Sequence, residues 1–121
     1  MRSLPVAGLA MLALLTGCAQ VEHRTAPAIV PGSCAPVYPS VSRRMEEQGS
    51  VVVRFLISPQ GTLLQSQVAT SSGHPRLDAA ALEVLPLCKF TPALINGRVD
   101  PEPQWGPNRF TWKLEAVPEG H

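Results

Sequence analysis

Aromatic side chains are scarce in this chain of 121 residues: two Trp, one Tyr and three Phe. Charge is scarce too, with ten Lys plus Arg against nine Asp plus Glu and a formal net charge of +1. A balance so close to neutral, with no basic cluster interleaved with aromatics, carries no electrostatic footprint for nucleic acid, and none is expected as a partner. The three histidines, His23, His74 and His121, and the cysteines lie without metal-ligand spacing, so neither a metal nor a cofactor is expected. No Gly-rich phosphate loop follows a strand pattern. Ser71, Ser72, His74 and Asp78 have the residue types of a hydrolase triad. A triad is defined by geometry, however, and neighbours around a helix start are better accounted for as turn and capping residues, with His74 at the N-cap. An enzyme is not expected.

What the chain does hold begins at its N-terminus. Met1, Arg2 and Ser3 precede an uncharged apolar run of 12 residues, Leu4 to Leu15, and small residues then lead to Cys18. This is signal-peptide grammar, and the run is short of the ~20 residues that span a bilayer. The stretch Leu15, Thr16, Gly17 and Cys18 resembles the lipobox of bacterial lipoproteins. The resemblance implies cleavage after residue 17, acylation of Cys18, and a lipid anchor on the periplasmic side of the envelope. Ala19 after the cysteine favours the outer membrane over the inner. Read through Val21, the same stretch gives 18 uncharged residues, a marginal span, so an uncleaved membrane anchor remains the alternative. With Cys18 acylated, Cys34 and Cys88 are left as an even pair in an oxidising compartment, where a disulfide is expected. Closing a loop of that length stabilises by about 4 kcal/mol on the chain-entropy argument, a useful staple for a thin core.

Past Cys18 the chain runs to about residue 36 with several prolines and no apolar periodicity, as a polyproline-biased tether reaching on the order of 50 Å. Pro39 and Ser40 then open a short helix with Val41 and Met45 on one face and Gly49 at its end. Val51, Val53, Phe55 and Ile57 alternate with Val52, Arg54 and Leu56, the pattern of a strand whose outer face is marked by Arg54. A turn at Pro59 and Gly61 leads into a more polar strand over 62–70, forming a hairpin. Pro75, Asp78 and the stripe of Leu77, Ala80, Ala81, Val84 and Leu85 specify a second helix, which Pro86 should end. A loop over 91–107 precedes a last strand in which Phe110, Trp112 and Leu114 alternate with charged and polar residues. The expected fold is a small α+β two-layer sandwich, two helices on one face of a three-stranded antiparallel sheet. The expected organisation is a signal peptide over 1–17, a lipidated Cys and Pro-rich tether over 18–36, a folded domain over 37–117 and a tail over 118–121.

Residues 38–114 resemble the C-terminal domain of TonB family proteins. The resemblance is carried by Tyr38 and Pro39, by Gly49, Val51, Val53, Phe55 and Ile57, by Gly61 and Leu63, and by "SSGHPRLDAAALEVL". It continues through Phe90, Pro92 and Ala93, the Asn96–Gly97 turn, Trp105, and a last strand ending at Leu114. It implies a non-enzymatic module linked to TonB-type transmembrane transport, binding an outer-membrane receptor or another envelope protein by adding an extended peptide to its last strand. Carried over by position, the partner-binding residues are Trp105 in a flanking loop and Asn108, Arg109, Thr111, Lys113 and Glu115 on a strand over 108–115. An uncovered edge there would also permit a homodimer. TonB-like transducers keep an inner-membrane helix coupled to a motor and carry a long Pro-rich arm. A chain anchored through Cys18 has neither, so it binds without pulling. The contrary reading is a minimal energy transducer with an uncleaved N-terminal anchor. Against it, no charged residue lies between Leu4 and Val21, where a motor contact would be expected. A structural accessory protein of an envelope complex is not separable from the binding module on sequence.

Overall fold

A computed structural model describes residues 21–114. The expected signal peptide over 1–17, Cys18, Glu115 and the expected tail over 118–121 lie outside the described residues.

Alternation dictates the centre of the fold. Strand β3 (Gly49–Ile57) buries Val51, Val53, Phe55 and Ile57 and turns the intervening side chains outward. It pairs antiparallel with β4 (Leu63–Thr70) on one side and with β8 (Gln104–Trp112) on the other. The sheet order is therefore β4-β3-β8. Helix α2 (Pro75–Val84) lays Leu77, Ala80, Ala81 and Val84 on the inner face, where Phe110 and Trp112 of β8 complete the core. Pro86 ends the α-helix at Val84, as its missing donor requires, and a single 3-10 turn, Leu85–Leu87, follows. The molecule is the expected α+β sandwich.

Helix α1 (Ser40–Arg44) is shorter than expected. It stops well before Gly49 because Glu46 already takes a left-handed conformation, φ 56°. It buries Ser42 rather than Val41 and Met45, and Met45 is exposed. Glu47 then ties the α1–β3 connection to the start of α2, its Oε2 accepting from Arg76 at 3.1 Å and facing His74 Nδ1 at 3.7 Å.

The Pro-rich segment departs most from expectation. Instead of running free, it is strapped to the domain by two short antiparallel ladders. Strand β1 (Arg24–Thr25) pairs with β6 (Leu94–Ile95), and β2 (Ala28–Ile29) pairs with β5 (Phe90–Thr91). Strand β6 also forms a hairpin with β7 (Arg98–Val99) through Asn96, φ 52°, and Gly97, φ 82°, the left-handed pair that a two-residue hairpin turn needs. Val30 N–H donates to the Lys89 carbonyl at 2.8 Å, and Cys34 is bonded to Cys88 with a Cα–Cα separation of 4.9 Å. Between the ladders Pro27 is fully buried against Gly106 of β8, whose lack of a side chain makes room for it.

Candidate functional site

Strand β8 pairs with β3 alone, from Gly49↔Trp112 to Ile57↔Gln104, so among the described residues its other side has no strand partner. Pro107 sits in the middle of this run, opposite Arg54. The register passes through it without a shift, which a proline allows only where its nitrogen faces away from the partner strand. The absent N–H is therefore a missing rung on the open side, and the longest stretch offering a complete set of backbone groups is Asn108–Trp112.

The strand's side chains divide by parity. Gly106, Phe110 and Trp112 are buried on the inner face, and Trp112 Nε1 donates to the Val37 carbonyl at 3.2 Å. Trp105, Pro107, Arg109 and Thr111 lie on the outer face beside Ser50, Val52, Arg54 and Leu56 of β3. Two contacts organise that outer face: the Arg54 guanidinium stacks 4.4 Å above the Trp105 ring, and the Ser50 and Thr111 hydroxyls are 2.9 Å apart. Arg54 also reaches Gln67 of β4 at 3.4 Å. Past Trp112 an open cleft of about 840 Å³ is lined by Tyr38, Arg43, Thr111, Lys113 and Leu114, with the Arg43 guanidinium 4.8 Å from the Tyr38 ring centroid. Its walls carry two cations and an aromatic ring.

The structure thus brings Asn108, Arg109 and Thr111 together on one strand, with Lys113 just beyond its end. Asn108 is the exception in orientation: half-buried on the inner side, it donates its side-chain amide to the Arg109 carbonyl at 3.3 Å. The strand spans Gln104–Trp112 rather than 108–115, and Trp105 lies within it opposite Leu56, not in a flanking loop. Pro107 and Gly106 read as loop residues in sequence, but an edge strand tolerates the first and the buried Pro27 requires the second. Arg43 was not anticipated at this site. No local pattern links it to the end of β8, although Arg54 was legible as the outer-face residue of its strand.

The group of serine, histidine and aspartate forms a cap. Asp78 accepts from the hydroxyls of Ser71 and Ser72 and from the Ser72 N–H at 2.9 Å, while the Ser72 hydroxyl contacts backbone atoms of His74. His74 stands at the N-cap but makes no side-chain capping bond, so Asp78 performs the fastening that was expected of His74. Partial burial pushes the Asp78 carboxyl up, but the bonds from Ser71 and Ser72, with the nearby His74 charge, outweigh it and hold the carboxyl below its ordinary value. The His74 imidazole faces Glu47, and no serine hydroxyl is bonded to it among the described residues.

Residues 35–114 match the family described as Gram-negative bacterial TonB protein C-terminal. Protein TonB of Vibrio cholerae is 34% identical over 71 residues, covering 59% of this chain and 29% of the relative. Protein TonB of Neisseria gonorrhoeae is 48% identical over 46 residues, 38% of this chain and 16% of the relative. Protein TonB of Haemophilus ducreyi is 40% identical over 55 residues, 46% of this chain and 20% of the relative. Each match spans less than a third of the relative's own length.

Proposed function

Because the chain belongs to the family of Gram-negative TonB C-terminal domains, we propose that it is a non-enzymatic, lipid-anchored binding module of the cell envelope. It takes an extended segment of a partner protein as a fourth strand on β8. Main-chain groups over Asn108–Trp112 supply affinity, and the flanking side chains Arg109, Thr111 and Lys113 supply selectivity. The single observation behind this reading is the sheet order β4-β3-β8, which leaves the far side of β8 without a strand partner among the described residues. In this reading the anchor is an acylated Cys18, the protein faces the periplasm from the outer membrane, and the partner is an envelope protein of TonB-linked transport, such as an outer-membrane receptor.

Site-specific photo-crosslinking in intact cells tests the proposal. Probes at Arg109, Thr111 and Lys113 are expected to capture an envelope protein, and probes at Gln65 and Gln67 on β4 are expected to capture none. Capture from β4 with silence from β8 would overturn it.

A further inference from the structure

A lipid anchor followed by a tether of some 50 Å would let the domain roam. The strap removes that freedom. His23 N–H donates to Asn96 Oδ1 at 3.0 Å, and Asn96 N–H donates back to the His23 carbonyl at 2.7 Å. The β1–β6 ladder starts one residue later, and the Cys34–Cys88 bond closes the far end of the strap. Only the five steps from Cys18 to His23 are left as leash, a reach of at most ~18 Å when fully extended. Asn96, in the turn of the β6–β7 hairpin, can stand no further from Cys18 than this leash plus one hydrogen bond.

Resting on the reading of Cys18 as acylated, we infer that the Leu94–Val99 hairpin is the membrane-facing end of the domain, held against the lipid headgroup layer. The surface at this end suits that neighbour. Val99 is 49% exposed, and His23, Arg24 and Arg98 are exposed around it. Arg24 is engaged by Glu22 at 3.2 Å and lies 3.9 Å from the buried Asp100, whereas Arg98 makes no ion pair among the described residues and can meet a lipid phosphate. The nine residues of β8 then run away from the bilayer, from Gln104 beside the strap to Trp112. At the ~3.3 Å rise per residue of a strand, the cleft at Tyr38, Arg43 and Lys113 is displaced along β8 from the hairpin end by about 26 Å. The basic cleft is thus presented to the periplasm and not to the membrane that anchors it.

The test uses the full chain extracted from membranes and reconstituted into phosphatidylethanolamine and phosphatidylglycerol vesicles that contain a headgroup-nitroxide lipid. With Cys18 acylated and Cys34 bonded to Cys88, a Val99→Cys or Met45→Cys substitution supplies one free thiol for a fluorophore, and both positions are exposed. Quenching at residue 99 is expected to exceed that at residue 45 severalfold. Lengthening the leash with a flexible Gly-Ser segment after Gln20 is expected to abolish the difference. Equal quenching at the two positions in acylated protein would overturn the proposal, and so would a difference that survives the longer leash. Mass spectrometry of the same sample reads the premise separately: a Cys18 without acyl chains would overturn the anchor and this placement with it.

Discussion

Replacing Gly106 with Ala puts one methyl group where the strap crosses the sheet. The new Cβ would stand 2.4 Å from the Pro27 carbonyl oxygen and 3.0 Å from both Pro27 Cγ and Phe55 Cε1. The nearest obstruction is backbone, and Phe55 is fully buried, so no side-chain end can swing aside. Relief requires the Pro27 carbonyl to recede by about 1 Å to reach ordinary contact, which pulls on the ladders that flank it. Overpacking of this kind costs about 1–3 kcal/mol. At about 4–8 °C per kcal/mol for a domain of this size, the middle of that range lowers Tm by about 8–16 °C. Thermal unfolding followed by circular dichroism measures the loss, and amide hydrogen exchange locates it. The Val30 and Asn96 amides, which donate to Lys89 and His23 across the strap, should exchange faster, and those of β3 should change least. A Tm unchanged within about a degree, with Val30 and Asn96 still protected, would refute the placement of Pro27 on β8.

Reducing the Cys34–Cys88 bond, or replacing both cysteines with Ser, should lower stability by about 4 kcal/mol through loop-closure entropy, read as a fall in the urea midpoint. Asp78→Asn should cost about 1 kcal/mol by weakening the bonds from Ser71 and Ser72. It should also flatten the acid limb of the stability profile. The folded carboxyl lies below its ordinary value, so its contribution is present above the unfolded chain's value and is lost as pH falls through the folded one; denaturant titrations from neutral to strongly acid pH check this. Phe55→Ala, which empties the centre of the core beside Phe90 at a ring separation of 4.9 Å, should cost about 3–5 kcal/mol in the same assay.

The parts of the fold that were legible in sequence are those whose residues report their own environment. Val51, Val53, Phe55 and Ile57 alternate because one face of β3 is buried, and Pro75, Asp78 and the Leu77–Val84 stripe mark α2 because a helix repeats its buried face every three or four residues. The strap was not legible. Arg24–Thr25 and Ala28–Ile29 are strands of two residues each, too short for any period, and they exist because Leu94–Ile95 and Phe90–Thr91, over 60 positions away, offer matching backbone groups. The start of β8 was obscured for a related reason: Gly106 and Pro107 are breakers by local propensity, and only their tertiary neighbours make them strand residues. Within the candidate site, the alternation that placed Arg109 and Thr111 was visible, whereas the meeting of Lys113 with Tyr38 and Arg43 depends on how α1 packs.

An unpaired ribbon border nine residues long invites runaway stacking of like chains, since every copy offers the next the same template. Pro107, which lacks the backbone donor, splits that border into two shorter pieces. In the proposed function, a partner strand that stops at the proline pairs with the piece beyond it, Asn108–Trp112. The ring therefore acts, in that reading, as a governor, limiting the length of the partner strand that β8 admits.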